Sequence, residues 1–137
     1  MIPAKTAEGY EGYSKEAALA SVGPGWAPLI DVIWQYKEAG KGFSGSQVDT
    51  PVTVNQVKEK FGGLRFYYSG GDDYFRGVVG AMEQMSYRMC EACGNPGGVD
   101  ATSGTWLLTL CPICQKERNK GKSLNQIIEE RQAHGNG

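Results

Sequence analysis

All four cysteines of the chain stand in two C-x-x-C pairs, Cys90-Glu-Ala-Cys93 and Cys111-Pro-Ile-Cys114, seventeen residues apart. That spacing falls in the range of a four-cysteine metal site. A two-residue gap lets both sulfurs of one pair reach the same tetrahedral ion at about 2.3 Å each. Gly94 follows the first pair, where a knuckle turn often needs a residue that tolerates positive φ. Pro112 suits the first turn of a helix, which would put the second pair at a helix N-terminus. There the helix dipole favours thiolate over thiol. The spacing therefore points to one structural Zn²⁺ per chain, held by Cys90, Cys93, Cys111 and Cys114. The plainer alternatives are two disulfides or four unrelated buried thiols.

The rest of the chain must position those sulfurs. Its 137 residues suit a single domain with a modest core helped by a metal staple. Apolar residues make up 40%, which argues against global disorder, and 20 glycines point to many turns. A net charge of -1 gives no global electrostatic case for nucleic acid or membrane. No apolar run approaches the roughly 20 residues that span a bilayer. The opening Met1-Ile-Pro-Ala-Lys-Thr-Ala-Glu8 lacks the apolar core of a signal peptide. The expected setting is reducing cytoplasm, where paired cysteines read as metal ligands.

The expected division is a loose arm over 1–13, an α+β core over 14–89, a zinc finger over 90–122, and a C-terminal helix and tail over 123–137. Ser14 can cap a short helix to Val22, ended by Gly23-Pro-Gly25. A second helix over 26–39 carries Pro28 in its first turn and Trp26, Leu29, Ile30 and Ile33 at helical spacing. Trp34 and Tyr36 lie off that stripe, so the helix is expected to be covered on more than one side. Gly40 suits its C-terminal cap, and 41–51 reads as a loop.

Residues 52–68 read as a hairpin closed by Gly62-Gly63. The competing reading makes 54–61 a helix. Closing the turn between Phe61 and Leu64 pairs Glu59 with Phe66 and Val57 with Tyr68 on the inner face. The outer face then carries Lys60 beside Arg65 and Lys58 beside Tyr67. Val54 and Val57 are out of phase for one straight strand, which implies a bulge near Asn55 or Gln56. Asp72 caps a long helix over 73–89, striped by Phe75, Val78, Val79, Met82, Met85 and Met89. The acids Asp72 and Asp73 read as partners of the helix dipole rather than as a catalytic or Mg²⁺ pair. The expected core is Trp26, Ile30, Ile33, Phe61, Leu64, Phe66, Val78, Val79 and Met82.

Asn95-Pro-Gly-Gly98 reads as a turn. Thr105 to Leu110 alternates as a strand, with Trp106, Leu108 and Leu110 on one side. A knuckle, a strand or hairpin, then a ligand pair opening a helix is the order of a treble clef; a zinc ribbon is the close alternative. Residues 115–122 carry four cations and one anion. Their first expected use is to offset the -2 charge of Zn²⁺ with four thiolates. Ser123-Leu-Asn-Gln126 is a capping box for a final helix to about Ala133, with Leu124, Ile127 and Ile128 as its apolar side. His134, the sole histidine, falls in the tail and is a poor catalytic candidate.

Three stretches in this order resemble one family: Gly25-Trp26-Ala-Pro28-Leu29-Ile30, Gln56-Val-Lys-Glu-Lys-Phe-Gly-Gly-Leu-Arg-Phe-Tyr67, and Cys90-Glu-Ala-Cys-Gly94 with Thr109-Leu-Cys111. It is a group of small bacteriophage- and prophage-encoded zinc-finger proteins. The resemblance covers roughly 22–118, and the family's cysteines map onto the four named here. It implies a viral accessory protein made in the bacterial cytoplasm, and it carries no reaction with it.

Three classes of function follow. The first is a non-catalytic protein that binds a host or phage protein, in the manner of counter-defence or host-takeover inhibitors. The second is a nucleic-acid-binding zinc-finger module using local basic patches. The third, an enzyme, is disfavoured: no Cys-His or Ser-His pairing stands out, no small-molecule substrate is evident, and four thiolates close the metal. The expected partner surface is the outer hairpin face, Lys58, Lys60, Arg65 and Tyr67, because cations crowd there without need. No membrane partner is expected.

Overall fold

The computed structural model describes residues 5–6, 9–10, 12–39, 51–99 and 106–133. In chain order it has β1 (Lys5–Thr6), β2 (Gly9–Tyr10), α1 (Lys15–Ala20), a 3-10 turn over Pro24–Trp26, and α2 (Ala27–Ala39). The hairpin β3 (Thr53–Lys60) and β4 (Gly63–Ser69) leads into α3 (Asp73–Ser86). Then come β5 (Gly98–Val99), β6 (Thr109–Leu110), α4 (Pro112–Asn119) and α5 (Leu124–Ala133). Each sheet is a two-stranded antiparallel ladder, so the fold is α+β. Gly40, the loop 41–50 and His134 lie outside the described residues.

The helices begin where side chains can satisfy their free N–H groups. Ser14 Oγ accepts from Ala17 N at 3.0 Å, and Asp72 Oδ1 from Phe75 N at 2.8 Å. Ser123 and Gln126 form the reciprocal capping box, at 2.8 and 3.2 Å. Asp73 pairs with Arg76 in solvent.

The arm is not loose throughout. Lys5 pairs with Tyr10 and Thr6 with Gly9. Tyr13 N donates to Val54 O at 2.7 Å, and its ring packs on the core. That core lies between α2, α3 and the inner hairpin face, with Trp26, Ile30, Ile33, Leu64, Phe66 and Val79 all buried. Trp34 is also buried, edge-on to Phe66 at 6.0 Å, so α2 is covered on more than one side as its sequence implies. Val78 and Met82 pack at the margin.

The hairpin forms, with a bulge between Val54 and Gln56, but its register slides by two residues. Lys60 faces Gly63, Glu59 faces Leu64, Lys58 faces Arg65, Val57 faces Phe66, and Gln56 faces Tyr67. The two faces keep their residues because the slide is even. The turn is therefore Phe61-Gly62, at φ 54 and 81. Gly63 is drawn into β4 because the Tyr87 ring lies over it: a Cβ there would meet that ring at 2.4 Å. Glu59 Oε2 accepts from Gly62 N at 2.8 Å and closes the turn. Phe61 is consequently displaced from the expected core and is 64% exposed.

Helix α3 ends at Ser86, short of Met89. The buried Ser86 hydroxyl donates to Glu83 O at 2.5 Å and accepts from Leu64 N at 2.9 Å. Glu83 Oε2 accepts from Phe66 N at 2.9 Å. Side chains of α3 thus satisfy N–H groups along the open edge of β4, which otherwise invites pairing with another strand. Met85 points out, and Met89 bridges to Pro96 instead of extending the helix.

Candidate metal centre

Two short segments bring the sulfurs together. The first is the knuckle Cys90–Gly94, closed by Gly94 N donating to Cys90 O at 2.9 Å and Cys90 N to Asn95 O at 2.8 Å. Gly94 takes φ 85, the left-handed turn its position implies. The second is the start of α4, where Cys111 is the N-cap and Cys114 lies in the first turn after Pro112. Cys111 Sγ accepts from Cys114 N at 3.4 Å. The β5/β6 ladder holds the two segments side by side, and the Met89–Pro96 bridge closes the base of the knuckle.

The four sulfurs all lie within 4.8 Å of one another, and the cysteines are free rather than disulfide-bonded. Cys93 Sγ stands 3.6 Å from Cys111 Sγ and 4.0 Å from Cys114 Sγ. A tetrahedral ion with sulfur ligands at about 2.3 Å sets its ligands roughly 3.8 Å apart. The donor set and its spacing therefore fit a tetrahedral metal ion.

The local fields point the same way. Burial pushes the Cys90 thiol up, while the backbone N–H groups of Cys111, Cys93 and Ala92 draw it down. Burial and the neighbouring Cys90 push Cys114 up strongly, since thiolates this close repel. Burial also raises Cys93, but the Asn95 N–H and the Arg131 guanidinium outweigh it and bring the thiol down to about 7. A divalent cation removes the mutual repulsion and makes all four thiolates tenable.

Two residues that sequence reasoning passed over complete the site. Glu91, inside the first pair, is only 1% exposed. Its Oε2 accepts from Thr109 N at 2.8 Å, and its own N–H donates to Thr109 O at 2.9 Å. Burial pushes this carboxyl up to about 7 against the pull of the Thr109 N–H. Glu91 thereby clips the knuckle to β6 beside both cysteine pairs. Arg131, in the last turn of α5, brings its guanidinium charge to the Cys93 sulfur and favours the thiolate there. Three of the four cations of 115–122 are engaged elsewhere. Lys120 and Lys122 hold Glu117, Lys122 also reaches Glu130, and Arg118 donates to the Trp106 carbonyl. No local sequence signal marks either residue, because both act through contacts made across the fold.

The strand expected over 105–110 is reduced to Thr109–Leu110, and Thr105 lies outside the described residues. Its alternation fails: Leu108, Thr109 and Leu110 are all buried, while Trp106 is 65% exposed. Thr109 is buried because it has two polar duties there. Besides its bonds to Glu91, its hydroxyl donates to Gly62 O at 2.6 Å, tying the metal centre to the hairpin turn.

A second tie runs through Gly23-Pro-Gly25-Trp26. Gly25 N donates to Glu91 O at 2.8 Å, and Trp26 Nε1 to Met89 O at 2.7 Å. A Cβ on Gly25 would lie 2.0 Å from Cys90 O, so the chain can lie on the knuckle only as glycine. Residues 25–30, the hairpin 56–67 and the two cysteine segments thus meet at this junction.

Lys60 is exposed, Tyr67 is 42% exposed, and Lys58 and Arg65 are half-buried. The like-charged pair across the strands is Lys58 with Arg65, not Lys60 with Arg65. Arg65 lies 5.9 Å from the Tyr87 ring and Lys60 5.7 Å from the Phe61 ring. Among the described residues none of the three cations has a carboxylate partner. No described helix is long and apolar enough to cross a membrane.

Comparison of the chain with protein-family models, with curated proteins and with solved structures finds no match.

Proposed function

We propose that the chain is a zinc-stapled, non-catalytic binding protein of the phage accessory type, which engages a host or viral macromolecule through the outer face of its hairpin. Zn²⁺ sits in a treble-clef arrangement: a knuckle gives Cys90 and Cys93, and a helix N-terminus gives Cys111 and Cys114. Its part is structural, because four thiolates leave no open position for substrate. The supporting observation is the unpaired cation cluster. Lys58, Lys60 and Arg65 lie on one ribbon, with Lys58 and Arg65 directly opposed and, among the described residues, no ion pair to an acid. Such a pair disfavours the hairpin by tenths of a kcal/mol or more, and an anionic partner turns that repulsion into attraction.

The test is capture from bacterial lysate, with and without nuclease, by the zinc-loaded chain and by a Lys58→Glu/Arg65→Glu double variant. The reading expects a ligand retained by the wild type and lost by the variant at unchanged zinc content and fold. Equal capture by both would remove this face from consideration.

A further inference from the structure

We propose that the hairpin face binds single-stranded nucleic acid, with the cleft between Phe61 and Trp106 taking an unstacked base. This rests on the reading of that face as the partner surface, and it names the class of partner.

The chemistry lies at one end of the ribbon. Lys58, Glu59, Lys60, Phe61, Trp106 and Leu107 line a cleft of about 270 Å³. Two of its walls are rings turned to solvent, Phe61 at 64% and Trp106 at 65% exposure. Neither is there by default. Phe61 holds φ 54 in the turn, a conformation that glycine or asparagine takes far more readily. An exposed aromatic at a strained turn position contributes nothing to the core and costs backbone energy. Trp106 is fixed from behind, its carbonyl accepting from Arg118 on α4.

Charge and spacing narrow the ligand. From the cleft the outer face continues to Lys58 opposite Arg65, then to Tyr67 opposite Gln56. Same-face positions on a strand repeat about every 7 Å. Rings and cations therefore recur along this face, with the Tyr87 ring lying over Gly63 and beside Arg65 between them, the combination that stacks bases and tracks phosphates without reading sequence. The acid in the lining, Glu59, is engaged by the Gly62 N–H. A protein interface would rather deplete lysine at its centre, and here two lysines line the cleft itself.

The chain carries its own reporter. Of its three tryptophans, Trp26 and Trp34 are buried and Trp106 is exposed, so quenching by a bound base reports on the cleft. The experiment titrates the zinc-loaded chain with a twelve-nucleotide oligo(dT) carrying a 5′ fluorescein, following tryptophan emission and dye anisotropy together. Saturable quenching with rising anisotropy is expected. Three phosphate contacts at about -0.7 each give a slope of about -2 in log K against log salt, or roughly a twentyfold loss between 50 and 200 mM. Phe61→Ala should weaken binding by about fivefold or more. Lys60→Glu should lower the affinity and flatten the salt slope, each at unchanged zinc content and circular dichroism. Absence of binding by the folded, zinc-loaded chain at 50 mM salt overturns the inference. So does binding that neither variant weakens, or quenching that arises from self-association in sedimentation. If oligo(dT) fails while a nuclease-treated lysate still yields a protein that the Lys58→Glu/Arg65→Glu variant loses, the partner surface stands and its ligand is a protein. If the chain folds without zinc, it is the staple that fails.

Discussion

Around the hairpin, twelve buried apolar residues among those described share one core, and rings from α2, β4 and α3 touch edge to face. Around the cysteines, the fully buried carbon among the described residues is little more than Ala92, Leu108, Leu110 and Ile127 beside the sulfurs. Fully burying one large apolar side chain contributes roughly 1.5–3 kcal/mol. The first region can stand on such terms, whereas the second buries three large aliphatics and must order two short helices and a knuckle. A metal ion held by the four sulfurs would supply what carbon does not. The lesson concerns where each region keeps its information: the first in many replaceable contacts, the second in four atoms.

Metal removal is the largest way to break that contrast. Chelation, or Cys93→Ser, should withdraw on the order of 10 kcal/mol from the region built on the sulfurs. Hydrogen exchange should then show protection lost over 90–99 and 106–133 while β3, β4 and α3 keep theirs. Acid should act as the chelator does, because each released thiolate takes up a proton and binding weakens as pH falls. Metal analysis of the folded chain should give one zinc. Collapse of protection everywhere at once would show a single cooperative unit and erase the distinction.

Phe66→Ala attacks the other region. Phe66 is 3% exposed and packs on Trp34 and Tyr68. Its truncation should cost about 3–5 kcal/mol in denaturant unfolding, while the zinc stoichiometry of the folded fraction stays at one. A loss below about 1 kcal/mol would mean that the core relaxes around the gap.

These two regions were unequally legible in the sequence, for physical reasons. The sulfur cluster could be read because its geometry is local: a two-residue gap, a Gly94 turn and a Pro112 helix start each act over a few residues. The caps at Ser14, Asp72 and Ser123 were readable on the same ground, and the bulge followed from the phase change between Val54 and Val57. The hairpin register was not readable. Gly62-Gly63 admits two turns, and the choice is made by Tyr87, twenty-four residues away in the chain, lying over Gly63. The burial of Glu91 and the reach of Arg131 to Cys93 are likewise set by partners distant in sequence.

The junction between the regions offers a sharper cut. In Gly25→Ala the new carbon would meet Cys90 O at 2.0 Å and Gly94 N at 2.6 Å, both main-chain atoms that cannot swing aside. The expected cost is about 3 kcal/mol, with lowered zinc affinity because the knuckle itself is pushed. Gly77→Ala on α3 is the control. Nothing lies within 4 Å of its Cβ, so the same substitution should stabilise the chain by about 1 kcal/mol through helix propensity. Equal effects at the two sites would mean that the Gly25 contact with the knuckle is loose.

The smallest expected effect separates the frame from its surface. Phe61 sits at the hairpin tip with its ring in solvent and φ at 54. Asparagine tolerates that backbone conformation better than phenylalanine, and it forfeits little burial by replacing an exposed ring. Phe61→Asn should therefore raise stability by about 1 kcal/mol, read as a shift of the urea midpoint at unchanged slope. The neighbouring bonds, Glu59 to Gly62 N and Thr109 to Gly62 O, remain available, so the tie between hairpin and metal centre should not weaken. A variant that is more stable but has lost its ligand would show that the ring is kept at this turn for binding. If Phe61→Asn instead lowers stability, the ring has a packing role in the fold, and the case for the tip as a binding surface loses its energetic basis.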